Sequence, residues 1–190
     1  AYTVWPNGTL AYVPDCEDGL HVQRLSSDGT LLSDLLLPHS TDAIIPRVYF
    51  SDEGNVLCQY QVGDPYQSSV LNCVDEQNAL LWSKTLSAPN AIVAVSQVQF
   101  LPDHETVLMG SAVAKSRGLF TIFKLHVDAQ GKILSRDIRD FTTHAAYRYD
   151  EVLDTLGNLY AVTRDTDDYP IAVVPFEDLP AHDDPGLMLE

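Results

Sequence analysis

The densest chemistry in this chain is a set of oxygen donors. Asp165, Asp167 and Asp168 crowd one short stretch, and Asp15, Glu17 and Asp18 crowd another near the start. Hard cations such as Ca²⁺ need several oxygen ligands at once, so alternate carboxylates within one loop are candidate metal ligands. Neither stretch has the Asp-x-Asp-x-Asp-Gly spacing of an EF-hand loop, and a solvated acidic loop is the competing account. No resident cofactor is expected beyond such a Ca²⁺ ion. A second set, His144, Arg148, Asp150 and Asp42, combines a titratable imidazole with both signs of charge. Each of these residues opens or precedes a strand-like run, so they would meet if those runs converge on one axis, and they are the candidate ligand-binding residues.

Nucleophilic and phosphate-binding signatures are missing. The chain has no Gly-x-Ser-x-Gly elbow, no His-Glu-x-x-His, no Cys-x-x-Cys and no glycine-rich phosphate loop. His104-Glu105 lacks the second histidine of a zinc-protease motif and reads as part of a turn. His21 and His126 fall in strand-like runs, where a neighbouring side chain usually satisfies a histidine.

The three cysteines divide into a pair and a singleton. A hairpin turning around 63–68 would set Cys58 opposite Cys73, within the reach of a disulfide. Two small buried thiols filling one sheet face would fit the same positions. A bridge would suit an oxidising, extracytoplasmic compartment. Cys16 is left over in a loop among carboxylates, which disfavour a reactive thiolate.

The elements that must position these residues are announced by seven turns of one grammar, an Asp or Asn followed closely by an apolar run, with Gly or Asn between them in all but the turn at Asp103. They begin at Asn7, Asp28, Asp52, Asp75, Asp103, Asp128 and Asp154 and lie roughly 21 to 28 residues apart; two such units make the roughly 40–50-residue period of propeller blades. Asp and Asn open such turns by accepting from backbone amides two residues on, and Gly or Asn takes the positive φ that strand twist demands.

The expected fold is therefore all-β, a β-propeller-like array of about 3.5 to 4 four-stranded antiparallel blades in a single domain. The blades are expected near 1–40, 41–88, 89–140 and 141–190. Leu31 to Leu37 is an outer strand, because it has no capping box and ends at Pro38. Helix is expected to be scarce, with a short turn only within 88–95 or 142–147. The last blade lacks its outer hairpin, since the proline-rich acidic run 177–186 cannot supply a ladder. Either 187–189 completes a four-bladed ring, or the chain is part of a larger propeller whose open faces await further blades of the same protein or a second copy. The strand-like start at Ala1 also leads us to expect more sequence upstream.

Two stretches, Val74-Asp75-Glu76-Gln77-Asn78-Ala79-Leu80-Leu81-Trp82 and Val127-Asp128-Ala129-Gln130-Gly131-Lys132-Ile133-Leu134, resemble the outer-hairpin repeat of quinoprotein-like (PQQ-type) propellers, Asp-Ala-x-x-Gly-x-x-x-Trp. Asp154-Thr155-Leu156-Gly157-Asn158-Leu159-Tyr160 is similar to the inner hairpin of NHL and gluconolactonase-like propellers. The first resemblance implies that Trp82 docks between neighbouring blades. Asn78 stands where the pattern has Gly, and the vicinal cysteines of quinoprotein dehydrogenases are missing, so neither cofactor nor activity is carried over.

Charge narrows the partners. Eleven Lys and Arg against 27 Asp and Glu in 190 residues give a net charge of -16, a field that repels phosphate backbones and anionic headgroups. Nucleic acid is not an expected partner, and no run is long enough to enter a bilayer. The expected function is noncatalytic recognition of a protein or small ligand. The alternative is a metal-dependent, lactonase-like hydrolase with Asp side chains around a divalent ion.

Overall fold

The computed structural model describes residues 1–38, 44–63, 67–114, 120–141, 148–154, 158–164 and 172–190, and at 44–45, 148–151, 153, 161, 163–164 and 172 the backbone alone. The fold is all-β, with four antiparallel sheets and no α-helix among the described residues. No helix among them is long and apolar enough to cross a membrane.

The first sheet contains β1 (Tyr2–Val4), β2 (Leu10–Tyr12), β3 (Asp15–Cys16), β4 (Gly19–Leu25) and β5 (Leu31–Leu37). β2 and β3 follow one another along the same edge of β4, and β5 takes the other edge. The second sheet is a meander of β6 (Ile44–Phe50), β7 (Val56–Val62), β8 (Ser68–Val74) and β9 (Leu80–Ser87). The third repeats that meander with β10 (Ala91–Phe100), β11 (Thr106–Ala114), β12 (Phe120–Val127) and β13 (Ile133–Asp140). The fourth has β14 (Arg148–Leu153), β15 (Leu159–Arg164) and β16 (Ala172–Pro175).

One bonding pattern closes every hairpin at one end of the sheets. The amide that opens each turn donates to the carbonyl four residues on: Trp5 to Thr9, Ser26 to Thr30, Ser51 to Asn55, Asp75 to Ala79, Leu101 to Glu105, Asp128 to Lys132 and Asp154 to Asn158, at 2.8–3.0 Å. Side-chain oxygens reinforce it: the Asp75 carboxylate accepts from the Gln77 and Ala79 amides, and Asp128 accepts from those of Gln130 and Lys132. At the position needing positive φ, Asn78 adopts 69° where Gly131 adopts 74°, so the asparagine serves the turn as glycine does elsewhere.

The sheets stack face to face in chain order. Trp5, Ala11, Val13, Leu20 and Val22 of the first sheet pack on Val56, Cys58 and Val74 of the second. The opposite face of the second sheet, with Leu57, Leu71, Cys73, Trp82 and Leu86, packs on Val93, Leu108, Phe123 and Leu125 of the third. Met109, Phe120 and Ile122 then meet Leu159 and Phe176 on the far side. β7 is buried from Val56 to Tyr60 without alternation because each of its faces meets a different neighbour.

Three expectations need correction, and the expected turn at 142–147 lies outside the described residues. Residues 91–95 extend as β10 instead of turning helically, because β11 pairs with them directly. The segment Met188–Leu189, β17, does not complete the fourth sheet; it pairs with Leu86 and Ser87 at the outer edge of the second. The proline-rich tail leading to it is irregular, as expected, but tied down: the Asp140 amide donates to Pro180, the His182 amide to Ile138, and Leu187 is buried. The disulfide does not form. Cys58 pairs with Asn72 and Cys73 with Leu57, a one-residue offset that sends the two thiols to opposite faces of the sheet. Both are free and buried.

Candidate functional site

His144, Asp42, Asp165, Asp167 and Asp168 lie outside the described residues. Arg148 and Asp150 occupy alternate positions of β14, paired with Arg164 and Val162. The described residues offer two other concentrations of chemistry, at opposite ends of β4.

At the turn end, a cleft of about 570 Å³ opens between the first and second sheets. Its floor is set by Arg24, which alternation along β4 points inward. Arg24 is 5% exposed, and burial pulls its pKa below the usual value, against the pull of Asp75 and Glu76. Its Nη2 donates to the carbonyls of Gly54 at 2.9 Å and Asp75 at 2.7 Å, and its guanidinium lies 4.6 Å from the centre of the Trp5 ring. The Trp5 indole N–H donates to the Ser51 carbonyl at 2.7 Å. Asn78 Nδ2 donates to the Val22 carbonyl at 2.9 Å. Four hydrogen bonds thus rivet the first sheet to turns of the second, which makes the cleft a preformed feature.

The rim of the cleft is acidic. Asp52, Glu53 and Glu76 are exposed there. Arg24 donates to main-chain carbonyls and not to these carboxylates; Glu76 Oε2 lies 4.0 Å from His104 Nδ1, whereas Asp52 and Glu53 have no ion-pair partner among the described residues.

At the other end of β4, the two-residue turn Glu17-Asp18 folds β3 back on β4, pairing Cys16 with Gly19. Gly19 is required there: it has φ of 144°, and a Cβ would stand 2.5 Å from the Leu37 carbonyl oxygen. The hairpin brings the ligand atoms of Cys16, Asp18 and His21 within 4.8 Å of one another. His21 Nε2 lies 3.2 Å from Asp18 Oδ1, and its Nδ1 lies 3.0 Å from Asp34 Oδ1 on β5. Gln23 Nε2 in turn donates to Asp34 Oδ2 at 3.1 Å. Hydrogen bonding to Asp34 and then Asp18 raises the His21 pKa above its ordinary value.

As expected for strand-borne histidines, His21 and His126 have neighbouring partners, the latter in Glu105 at 2.7 Å. The grouping of Cys16 with His21 was not read from the sequence. Its signal was the spacing Cys16-x-Asp18-x-x-His21 across a tight Asp-Gly hairpin, masked by the surrounding carboxylates.

Comparison with known protein families gives no match to this sequence, and comparison with curated proteins gives none. The functional reading therefore rests on the geometry above.

Proposed function

We propose that the chain is a noncatalytic recognition module built on a β-propeller-like fan of sheets, and that its turn-end cleft receives a basic protein segment or a small cationic ligand. The observation that carries this reading is the preformed cleft with an acidic rim on which Asp52 and Glu53 have no ion-pair partner among the described residues. Its volume lies within the roughly 300–1,000 Å³ range of small-ligand sites, and its carboxylates offer charge-assisted acceptors to ammonium or guanidinium groups.

Three features support the fan. Successive sheets meet face to face in chain order. Trp82 of the second sheet packs on Gly131 of the third, where an added Cβ would come within 2.9 Å of its ring, as expected of a docking tryptophan between blades. The first strands of adjacent sheets approach one another, with the Tyr49 hydroxyl donating to the Val95 carbonyl at 3.1 Å. The outer faces of the first and fourth sheets, which carry exposed Tyr2, Val4, Val152 and Val173, are where further blades or a second copy would add.

A hexa-arginine peptide titrated calorimetrically into the protein tests the cleft. Binding is expected to weaken at least tenfold in the Asp52→Lys, Glu53→Lys double variant and to survive a chelator. It is expected to change little when the remote tail residues Asp178 and Asp183 are reversed instead. Equal loss in both double variants would reduce the attraction to net charge and sink the assignment. A calcium-dependent rise in Tm that is lost in Asp42→Ala and Asp150→Ala would favour the metal-dependent, lactonase-like hydrolase.

A further inference from the structure

We infer that Cys16, Asp18 and His21 form a binding site for a zinc-class divalent transition metal, with Asp34 orienting the histidine. The site is independent of the acidic cleft, because His21 faces away from the second sheet and sits at the opposite end of β4 from the turn-end rim.

The contact between His21 and Asp18 motivates the inference. Asp34 Oδ1 and Oδ2 lie 3.0 and 3.2 Å from Nδ1; with the proton of a neutral His21 on that nitrogen, Nε2 presents a lone pair. That lone pair faces Asp18 Oδ1 at 3.2 Å, and the ionised carboxylate also offers only lone pairs. Two acceptors at this distance repel unless a positive charge lies between them, either a second proton on the imidazole or a metal ion. The Cys16 sulfur adjoins the same space.

Geometry and ligand chemistry select the metal. Zinc bonds of about 2.0 Å to nitrogen or oxygen and about 2.3 Å to sulfur give tetrahedral edges of roughly 3.3–3.8 Å. The His21–Asp18 separation of 3.2 Å is already close to one such edge, and the 4.8 Å limit on the whole set leaves rotamer-scale adjustment. A thiolate and an imidazole favour zinc or cobalt over the hard cations Ca²⁺ and Mg²⁺, which take oxygen ligands. Asp34, itself held by Gln23, supplies the carboxylate–histidine–metal relay that fixes tautomer and ring orientation. Three protein ligands leave one coordination position for water or a donor atom from a partner.

Cobalt(II) and zinc(II) titrations of the reduced, metal-free full chain test the site. One equivalent of cobalt is expected to bind with a thiolate-to-cobalt charge-transfer band, and zinc should displace it while calcium and magnesium do not. Cys16→Ser should abolish the band, His21→Gln should weaken binding at least tenfold, and Asp34→Ala should weaken it roughly 10–100-fold. Matching near-ultraviolet circular dichroism of the metal-free variants guards against unfolding, and Cys16 and Asp18 are surface residues. Lack of the band, its persistence in Cys16→Ser, or unchanged affinity in His21→Gln would overturn the inference. The His21–Asp18 pair would then be an imidazolium–carboxylate pair only.

Discussion

Among the described residues, the second and third sheets are covered on both faces, whereas the first and fourth are covered on one. The sequence records the difference strand by strand. In the second sheet, Val56-Leu57-Cys58-Gln59-Tyr60 is buried throughout. In the first, β4 alternates: Leu20, Val22 and Arg24 point inward, while His21, Gln23 and Leu25 remain partly exposed. Burial without alternation marks a strand between two neighbours, and alternation marks a strand with solvent or an unseen partner on one side. Polar chemistry follows the same division: the thiols between sheets are inert, whereas the metal-type ligands sit on the outer face and rim of the first sheet.

The largest effects should come from substitutions between the inner sheets. Phe123 is fully buried between the second and third sheets, and Phe123→Ala is expected to lower unfolding free energy by about 3–5 kcal/mol in denaturant titrations. Val173 on the outer face of the fourth sheet is 57% exposed, and Val173→Ala should change stability by no more than about 0.5 kcal/mol. A comparable loss at Val173 would show that this face is covered in solution.

Thiol reactivity sharpens the contrast further. Burial pushes Cys58 and Cys73 up to about 12, whereas Cys16 is exposed. A thiol reagent should label one cysteine in the native protein and all three in denaturant. Intact masses before and after reduction should be identical, because no bridge joins Cys58 to Cys73.

The smallest effect is expected in acid, at the exposed turns. Bonds from Ser26 and then Thr30 hold the Asp28 carboxyl down at about 2, and the Lys132 amide holds Asp128 below its ordinary value. Their folded values lie below the unfolded one, so the stabilisation is complete above about pH 4 and is lost as pH falls through the folded values. Melting curves between about pH 4 and 2 should therefore fall less steeply for Asp128→Asn than for the wild type.

Strand order and turn positions were legible because each turn carries its own local chemistry. An Asp that accepts from two amides and a residue at positive φ act within five residues and need no distant partner. Register and tertiary partners were less legible. The offset that separates Cys58 from Cys73 depends on how β7 and β8 pair along their length, and the position of β17 depends on contacts with β9, which is about a hundred residues earlier. The helical expectation at 88–95 failed because pairing with β11 overrides local preference. The Cys16–His21 cluster needed the β3–β4 hairpin to be visible as a hairpin, and β3 is only two residues long.

Amide hydrogen exchange tests the stacking most directly. The account predicts that amides of β7, β8, β11 and β12 exchange only through global unfolding, while those of β1 and of β14 to β16 exchange through cheaper local opening. Protection in β1 and β14 to β16 equal to that of the inner sheets would contradict it, because the faces described as open would then be closed.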